Sequence, residues 1–436
     1  SRGLGGLPGQ VGLISPDRLW PLVILLPLAG LRDKTIFLAA RAEIYGTLTL
    51  VLLLPGTDMI ATAKLFLLLL WWGAATSKLN RHFPHVVSVM MANNPLWRIK
   101  ALKRRLFESY PDDMRPSGLS RALAHGGTVL EFTVPLLLLL SRGGALTAVA
   151  ATIMVLFHLN ILTSIPLGVP LEWNVFMIFG VLFLFVHYAS VGPAAISHPL
   201  PVAALLAVVV GLIIAGNFFP ERISFLPAMR YYAGNWDTSV WCLTEAAAAK
   251  IESRVKKAAA LPAAQLAKLY DGQTTDLLMH KGIAFRAMHT HGRALYGLVP
   301  RLCGPGHETE YAPTEGEVIA GVALGWNFGD GHLHNAQLVS ALQERCRFGE
   351  GELRVVVVHA QPMHRQRQRY QLIDAATGVF EEGHVAVADM LARQAWTADI
   401  PVSVLAPAPA AAAAAAGLAE APGLAEPPAE QGLAEP

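Results

Sequence analysis

ALTAVAATIMVLFHLNILT, residues 145–163, contains no Asp, Glu, Lys or Arg. A helix crossing about 30 Å of hydrocarbon needs about 20 mostly apolar residues, because lipid offers its backbone no hydrogen-bond partner. This stretch meets that requirement. So do Thr35 to Leu54, Met59 to Thr76, Ala122 to Leu140, Trp173 to Ser190 and Leu200 to Phe219, with short breaks such as PGTD, SRGG and ISHP between most of them. The pattern predicts a mainly α chain, a polytopic transmembrane helical bundle of six spans. Leu19 to Leu31 is only 13 residues and holds Pro21 and Pro27, so it is a candidate seventh span, a re-entrant piece or the end of a longer segment. The chain starts at Ser1 with no charged-then-apolar leader, which leads us to expect further sequence ahead of it.

Composition agrees. Of 436 residues, 53% are hydrophobic and 15% charged, against about 25% charged in soluble chains. The formal charge of +2 hides an asymmetry, with a net +7 over residues 1–220 and −5 over the remainder. A near-neutral total predicts no nucleic-acid partner. Nine of the basic residues fall in the connection 78–121, among them Lys100, Lys103, Arg104 and Arg105, and Arg32 and Lys34 lie on the same side. Only Arg142 stands opposite. Short cytoplasmic loops accumulate Lys and Arg, so this bias predicts a multi-pass protein of the cell inner (plasma) membrane with its C-terminal domain in the cytoplasm. Cys242, Cys303 and Cys346, too few for a disulfide framework, then lie in a reducing space. The basic connection also holds Trp97, Phe107 and Tyr110. It reads either as a plain topological determinant or as a segment lying on anionic headgroups.

An ionisable group at membrane depth costs about 3 kcal/mol or more and normally faces a partner or a wet cavity. At about 1.5 Å per residue, Arg41 and Glu43 lie about 9 to 12 Å from the inner end of their span, His158 about 8 Å and His125 about 5 Å. Glu172 opens the next span on that side, Asn160 and Asn174 join the layer, and Glu131 sits near mid-depth. The expectation is an acid–base site, with His125, Glu131, His158 and Glu172 as its catalytic lining. His125 or His158 would carry the proton, and Glu131 or Glu172 would hold its tautomer. Arg41, Glu43, Asn160 and Asn174 are the expected substrate-binding groups. The competing reading is that these groups are interhelical hydrogen bonds that fix packing, with Arg41 and Lys64 snorkelling to the interfaces. A third pairs His125 with His158 as axial ligands of a haem or a metal.

After Phe219 the periodicities become those of a small α+β domain. Helical patterns occupy 244–257, 261–270, 282–298 and 335–347. Strands are expected at Gly316 to Leu324, Glu352 to Ala360 and Tyr370 to Asp374, with a hairpin turn at ATG, 376–378. The VVVV run at 355–358 suits a central strand covered on both faces. Residues 222–242, holding Tyr231, Tyr232, Trp236 and Trp241, are expected to dock this domain on the bilayer. Two His-x-His pairs occur, His289/His291 and His332/His334. The second, with Asp330 beside it, is a candidate zinc or iron site; its alternative is a glycine-bearing turn whose Asp330 or Asn335 caps the next helix. There is no GxGxxG after a strand, no P-loop, GxSxG or CxxC. The organisation read from the chain is therefore a bundle over 1–220, a cytoplasmic domain over 221–400 and a disordered Ala/Pro tail over 401–436, where GLAE recurs.

The blocks LRDKTIFLAARAEIYG (31–46), WWGAATSKLNRHFPHVVSVMMANNP (71–95), GVPLEWNVFM (168–177), SFLPAMRYYAGNWD (224–237) and GWNFGDGHLHN (325–335) resemble an actinobacterial-type family of multi-spanning membrane proteins known as a transmembrane domain of unknown function. The resemblance runs from about Leu31 to Trp396. It implies further membrane sequence before Ser1 and assigns no chemistry. The layout has a fainter likeness to the vitamin K-dependent carboxylase-like transmembrane superfamily, which implies a lipid-like substrate and transfers no residue. The leading expectation is a protein that binds an apolar or lipid-like molecule taken from the bilayer, with modification of that molecule as its extension. Against it stands a non-catalytic scaffold or tether that recruits a membrane or cytoplasmic protein. A transporter is a third class, without visible inverted repeats. No cofactor is assigned.

Overall fold

The computed structural model describes residues 15–33, 37, 41–164, 168–231, 237–288, 291–304, 306, 310–325, 335–394, 396–397 and 399–407. Among the described residues four helices are long and apolar enough to cross a membrane: α3 (Gly56–Ser77), α5 (Gly118–Ser141), α6 (Gly144–Ser164) and α8 (Pro199–Phe218). Shorter apolar helices are α1 (Trp20–Arg32), α2 (Ala42–Leu52) and the stretch Leu171–His187. In the last of these, α7 (Gly168–Gly180) passes into a π-helical run, Val181–His187. The stretch read as Thr35 to Leu54 thus contains, among its described residues, an eleven-residue helix that begins after Arg41.

α3 is the hub. Of its most apolar window 78% is buried, against 22% for α8, whose Leu200, Val208, Val210 and Ile214 side chains face outward as they would toward lipid. α3 touches α2, α5, α8 and the π-helical run, and one apolar core joins Ile60, Phe66, Leu67 and Trp71 to Leu138, Met154, Phe185 and Met229. Small residues permit the closest approaches: a Cβ on Gly216 of α8 would lie 2.2 Å from the Ala228 Cβ, and one on Gly180 2.4 Å from Leu67 Cδ2. Gly216→Ala is therefore expected to lower stability by about 1–3 kcal/mol, measured by thermal unfolding in mild detergent.

Two polar pins hold the end of the bundle away from the basic connection. Asp58, fully buried, accepts from the backbone N–H of Ser197 at 2.6 Å and of His198 at 2.9 Å, and contacts His198 Nδ1 at 2.8 Å. Lys64 donates to the carbonyls of Tyr188 and Val191 at 2.8 and 2.6 Å. Arg41 and Lys64 are both buried, so neither snorkels as the sequence suggested.

The connection from α3 to α5 holds α4 (Phe83–Asn93), a short helix Lys100–Arg104 and the hairpin β1 (Phe107–Ser109) and β2 (Asp113–Pro116). After α8, a six-stranded antiparallel sheet runs in the order β4-β3-β5-β6-β7-β8. Its strands are β3 (Thr238–Leu243), β4 (Ala312–Glu315), β5 (Leu353–Val358), β6 (Arg367–Asp374), β7 (Gly378–Ala386) and β8 (Val402–Pro407). The alternation of β5 divides two cores. Val355 and Val357 pack with Trp241, α9 (Glu245–Arg254) and α12 (Ala336–Cys346), while Val356 and Val358 pack with Tyr370, Leu372 and α11 (Leu295–Cys303). α10 (Gly272–Met288) lies beside β4 and reaches α4.

Several expectations are corrected here. Gly316 to Leu324 is helical, not a strand; Gly316 sits so close to Ser239 and Trp241 of β3 that a Cβ would overlap Ser239 Oγ, and the chain coils away from the sheet after β4. The pattern read as 282–298 is divided between α10 and α11, with a 3-10 turn, His291–Ala294, between them. Trp241 is buried in the sheet core instead of lying at headgroup level. The tail does not begin at 401, because Val402–Pro407 pairs with β7 as an edge strand. The turn at 376–378 does form the β6–β7 hairpin, Asp374 opposite Gly378.

The halves are joined by polar contacts. His82 Nε2 lies 2.7 Å from Gln361 Oε1, and Gln394 bridges the hairpin by accepting from the Met114 N–H at 3.0 Å and donating to Asp113 at 2.8 Å. The Met363 N–H donates to the Asn217 carbonyl at 3.0 Å, and Arg369 pairs with Glu221 at 3.2 Å.

Candidate functional site

A cavity of about 100 Å³ opens among α3, α5, α6, α7 and the segment after α8, lined by Trp71, Lys78, Glu131, His158, Trp173, Asn174 and Tyr231 with apolar neighbours Leu70, Ala74, Ile161 and Met177. Lys78, at the C-terminal end of α3, folds back onto Glu131 of α5 at 2.5 Å, and both side chains are almost wholly enclosed. A buried pair of this kind persists only if its geometry repays the loss of water, and the two charges then hold two helices in one register. Glu131 Oε2 has no hydrogen-bond partner among the described residues, and neither does the indole N–H of Trp173. Both residues line the cavity.

His158 is fixed at both ring nitrogens. The Trp71 indole N–H donates to Nε2 at 2.9 Å, which makes that nitrogen the acceptor and leaves Nδ1–H to donate to Asn174 Oδ1 at 2.8 Å. The tautomer is therefore set by Trp71 and Asn174, not by Glu131 or Glu172 as expected. An imidazole with both nitrogens engaged has none to offer a haem iron, and its expected partner His125 is exposed on α5, outside the cavity lining. The bis-histidine reading is set aside on that geometry.

Beside the cavity stands a second cluster. Glu172 of α7 accepts from the Arg41 guanidinium and from the Tyr45 hydroxyl of α2. Arg41 adopts a left-handed backbone, φ 51°, uncommon for a non-glycine residue, and pairs with Glu172 from that position. Glu43 faces Ser224 at 3.5 Å. Tyr45 stacks on Trp173 at 6.0 Å, and Trp173 meets Tyr231 at 5.0 Å, so aromatic rings separate this cluster from the cavity.

The expected residues thus fall into two neighbouring groups. Glu131, His158 and Asn174 meet around the cavity, and Arg41, Glu43 and Glu172 meet behind Trp173. His125 joins neither. Asn160 is half-buried, its carbonyl accepting from Thr163 and Ser164, and it does not line the cavity. His332, His334 and Asp330 lie outside the described residues, as does His289, and among the described residues no group of three or more His, Cys, Asp or Glu could hold a metal ion. Sequence reasoning missed Lys78, Trp71, Trp173 and Tyr231.

Residues 4–405 match the family described as transmembrane protein of unknown function (DUF3556). The chain belongs to that family. No curated protein matches this DUF3556 chain, and no solved structure does. The match spans both the apolar helices and the sheet, so cavity and sheet belong to one DUF3556 unit.

Proposed function

We propose that this protein binds the polar end of an apolar or lipid-like molecule in the cavity between Lys78, Glu131 and Trp173. In this reading the chain crosses the inner membrane six times, with the sheet-bearing half in the cytoplasm. The observation that carries it is the pair of unsatisfied groups. An unpartnered buried donor or acceptor costs about 1–3 kcal/mol, yet one of each lines the same small space. A donor and an acceptor together suit a group that does both, such as the hydroxyl or carboxyl end of an amphiphile. A volume of about 100 Å³ is well below the roughly 300–1,000 Å³ of a drug-sized site, so only that end fits and the apolar remainder stays among the helices or in lipid. If the bound molecule is also modified, Glu131 is the acid or base, because its second oxygen has no partner among the described residues while both nitrogens of His158 are engaged.

Trp173→Phe keeps the ring and deletes only the N–H. It is expected to leave the thermal midpoint unchanged and to cut the amount of co-purifying amphiphile about fivefold to tenfold, the equivalent of one lost hydrogen bond. Mass spectrometry of lipid extracts from protein purified in mild detergent reads the result. Equal amphiphile content in both proteins would mean that the cavity holds only water and would overturn the reading.

A further inference from the structure

A second, larger space lies away from the cavity. It is a cleft of about 700 Å³ where α4, the Lys100–Arg104 helix and the β1–β2 hairpin face α10. Lys100, Lys103, Arg104 and Lys281 line it, and among the described residues no carboxylate does. None of the four forms an ion pair among the described residues, whereas two acids of the adjoining hairpin are already neutralised, Glu108 by Arg121 at 3.0 Å and Asp113 by Arg115 at 2.5 Å. Arg104 is held over the Tyr110 ring at 5.8 Å, and Lys103 donates to the Asn94 carbonyl at 2.9 Å, so two of the cations are positioned by their neighbours. The floor is apolar, from Val89, Ala92, Phe107 and Met114. Immediately ahead of Lys100 in the chain, Leu96 and Ile99 are 66% and 67% exposed, and Tyr110 is 50% exposed, side chains that suit the headgroup level of a bilayer.

We infer that this cleft is a binding site for the headgroup of an anionic glycerophospholipid. Four unpaired cations converging on one concavity repel one another, and a phosphate diester supplies the missing charge. The apolar floor and the exposed Leu96 and Ile99 then receive the glycerol backbone and the first methylenes of the acyl chains. Free phosphate would use the cations and none of the apolar surface. Because Lys281 comes from α10 and the other three cations from the connection between α3 and α5, a bound headgroup would also tie the sheet-bearing half to the membrane surface.

The test uses the purified full chain in mild detergent with three soluble probes at matched concentrations: dihexanoyl phosphatidylglycerol, dihexanoyl phosphatidylcholine and glycerol 3-phosphate. Bound probe is counted by native mass spectrometry. Phosphatidylglycerol is expected to be retained at least tenfold over the other two. Arg104→Gln/Lys281→Gln is expected to lower its retention roughly thirty-fold, about fivefold for each cation beside a phosphate. Lys281→Gln alone, on an exposed position, should show about fivefold, and Lys256→Gln, exposed and outside the cleft lining, no change. Equal retention of phosphatidylcholine would overturn the charge argument, and equal retention of glycerol 3-phosphate would overturn the lipid assignment. Unchanged phosphatidylglycerol retention in both cleft variants, at unchanged thermal midpoints, would overturn the site itself.

Discussion

Lys78→Met is expected to destabilise the helical bundle by about 3–5 kcal/mol. The variant deletes a cation and leaves the Glu131 carboxylate enclosed beside it, 3% exposed, with neither oxygen partnered among the described residues. An uncompensated charge at that depth must either take up a proton or drag water into the helices. Lys78→Met/Glu131→Leu, which removes both charges at nearly constant volume, is expected to return to within about 1 kcal/mol of the parent, because breaking a buried pair costs far more than replacing it. Thermal unfolding of the four proteins of the cycle in mild detergent measures the coupling directly. If the double variant is as unstable as the single one, the pair is not the interaction that holds α3 to α5. The same proteins bear on the cavity, since the double variant keeps the Trp173 donor but lacks the Glu131 acceptor. It is expected to be stable and to lose its co-purifying amphiphile, which separates a structural role for the pair from a binding role.

Lys78 was hidden from the sequence for a physical reason. A lysine at the end of an apolar run, opening a connection with nine basic residues, is what a solvated topological determinant looks like. Its partner lies 53 residues away on another helix. The spans themselves were legible because lipid imposes a length and a composition, and α5, α6 and α8 begin and end within a few residues of the apolar runs that announced them. Depth was legible too, from the rise per residue. Azimuth is a separate matter, and it decides the place of His125. Residues 125 and 131 are six apart on α5, about 240° around the helix, so only one of them could face α3 and α6. Glu131 does, at 3% exposure, and His125 is exposed. The Val run of β5 was transparent, since only a strand covered on both sides tolerates four consecutive valines. Gly316 to Leu324 was opaque, because its Val and Ile content favours a strand while its place at the end of β4, pressed onto Ser239 and Trp241, leaves no strand to pair with. Polar contacts that close between distant segments, such as His82 with Gln361, leave no local signature at all.

That last contact carries the second large prediction: the protein is expected to lose stability steeply as pH falls from about 6.5 to 4. His82 and His85, at the start of α4, are both buried. Burial pushes the His82 imidazole down to about 4, opposed by its hydrogen bond to Gln361 and reinforced by the positive charges of Arg293 and Arg81. Burial first, then the positive charge of Arg293, hold His85 well below the ordinary histidine range, against an opposing contribution from the His82 backbone. A group whose folded pKa lies below its unfolded value of about 6.5 binds fewer protons folded than unfolded, so its contribution is intact above pH 6.5 and is lost as the pH drops toward the folded value. For His82 alone the loss is about 2 kcal/mol at pH 5 and about 3 kcal/mol at pH 4, and His85 adds to it. Because His82 joins α3 and α4 to Gln361 in the sheet-bearing half, protonation places a cation beside Arg293 at the contact between the two halves, and that contact is expected to open first. The check is the thermal midpoint of the full chain at pH 7 and pH 5 for the parent, His82→Asn and His85→Leu. Both variants should flatten the acid limb, and His85→Leu should cost little at pH 7, since it replaces a buried polar ring whose nitrogens make no well-formed side-chain hydrogen bond among the described residues. An acid limb as steep in both variants as in the parent would assign the titration to other groups.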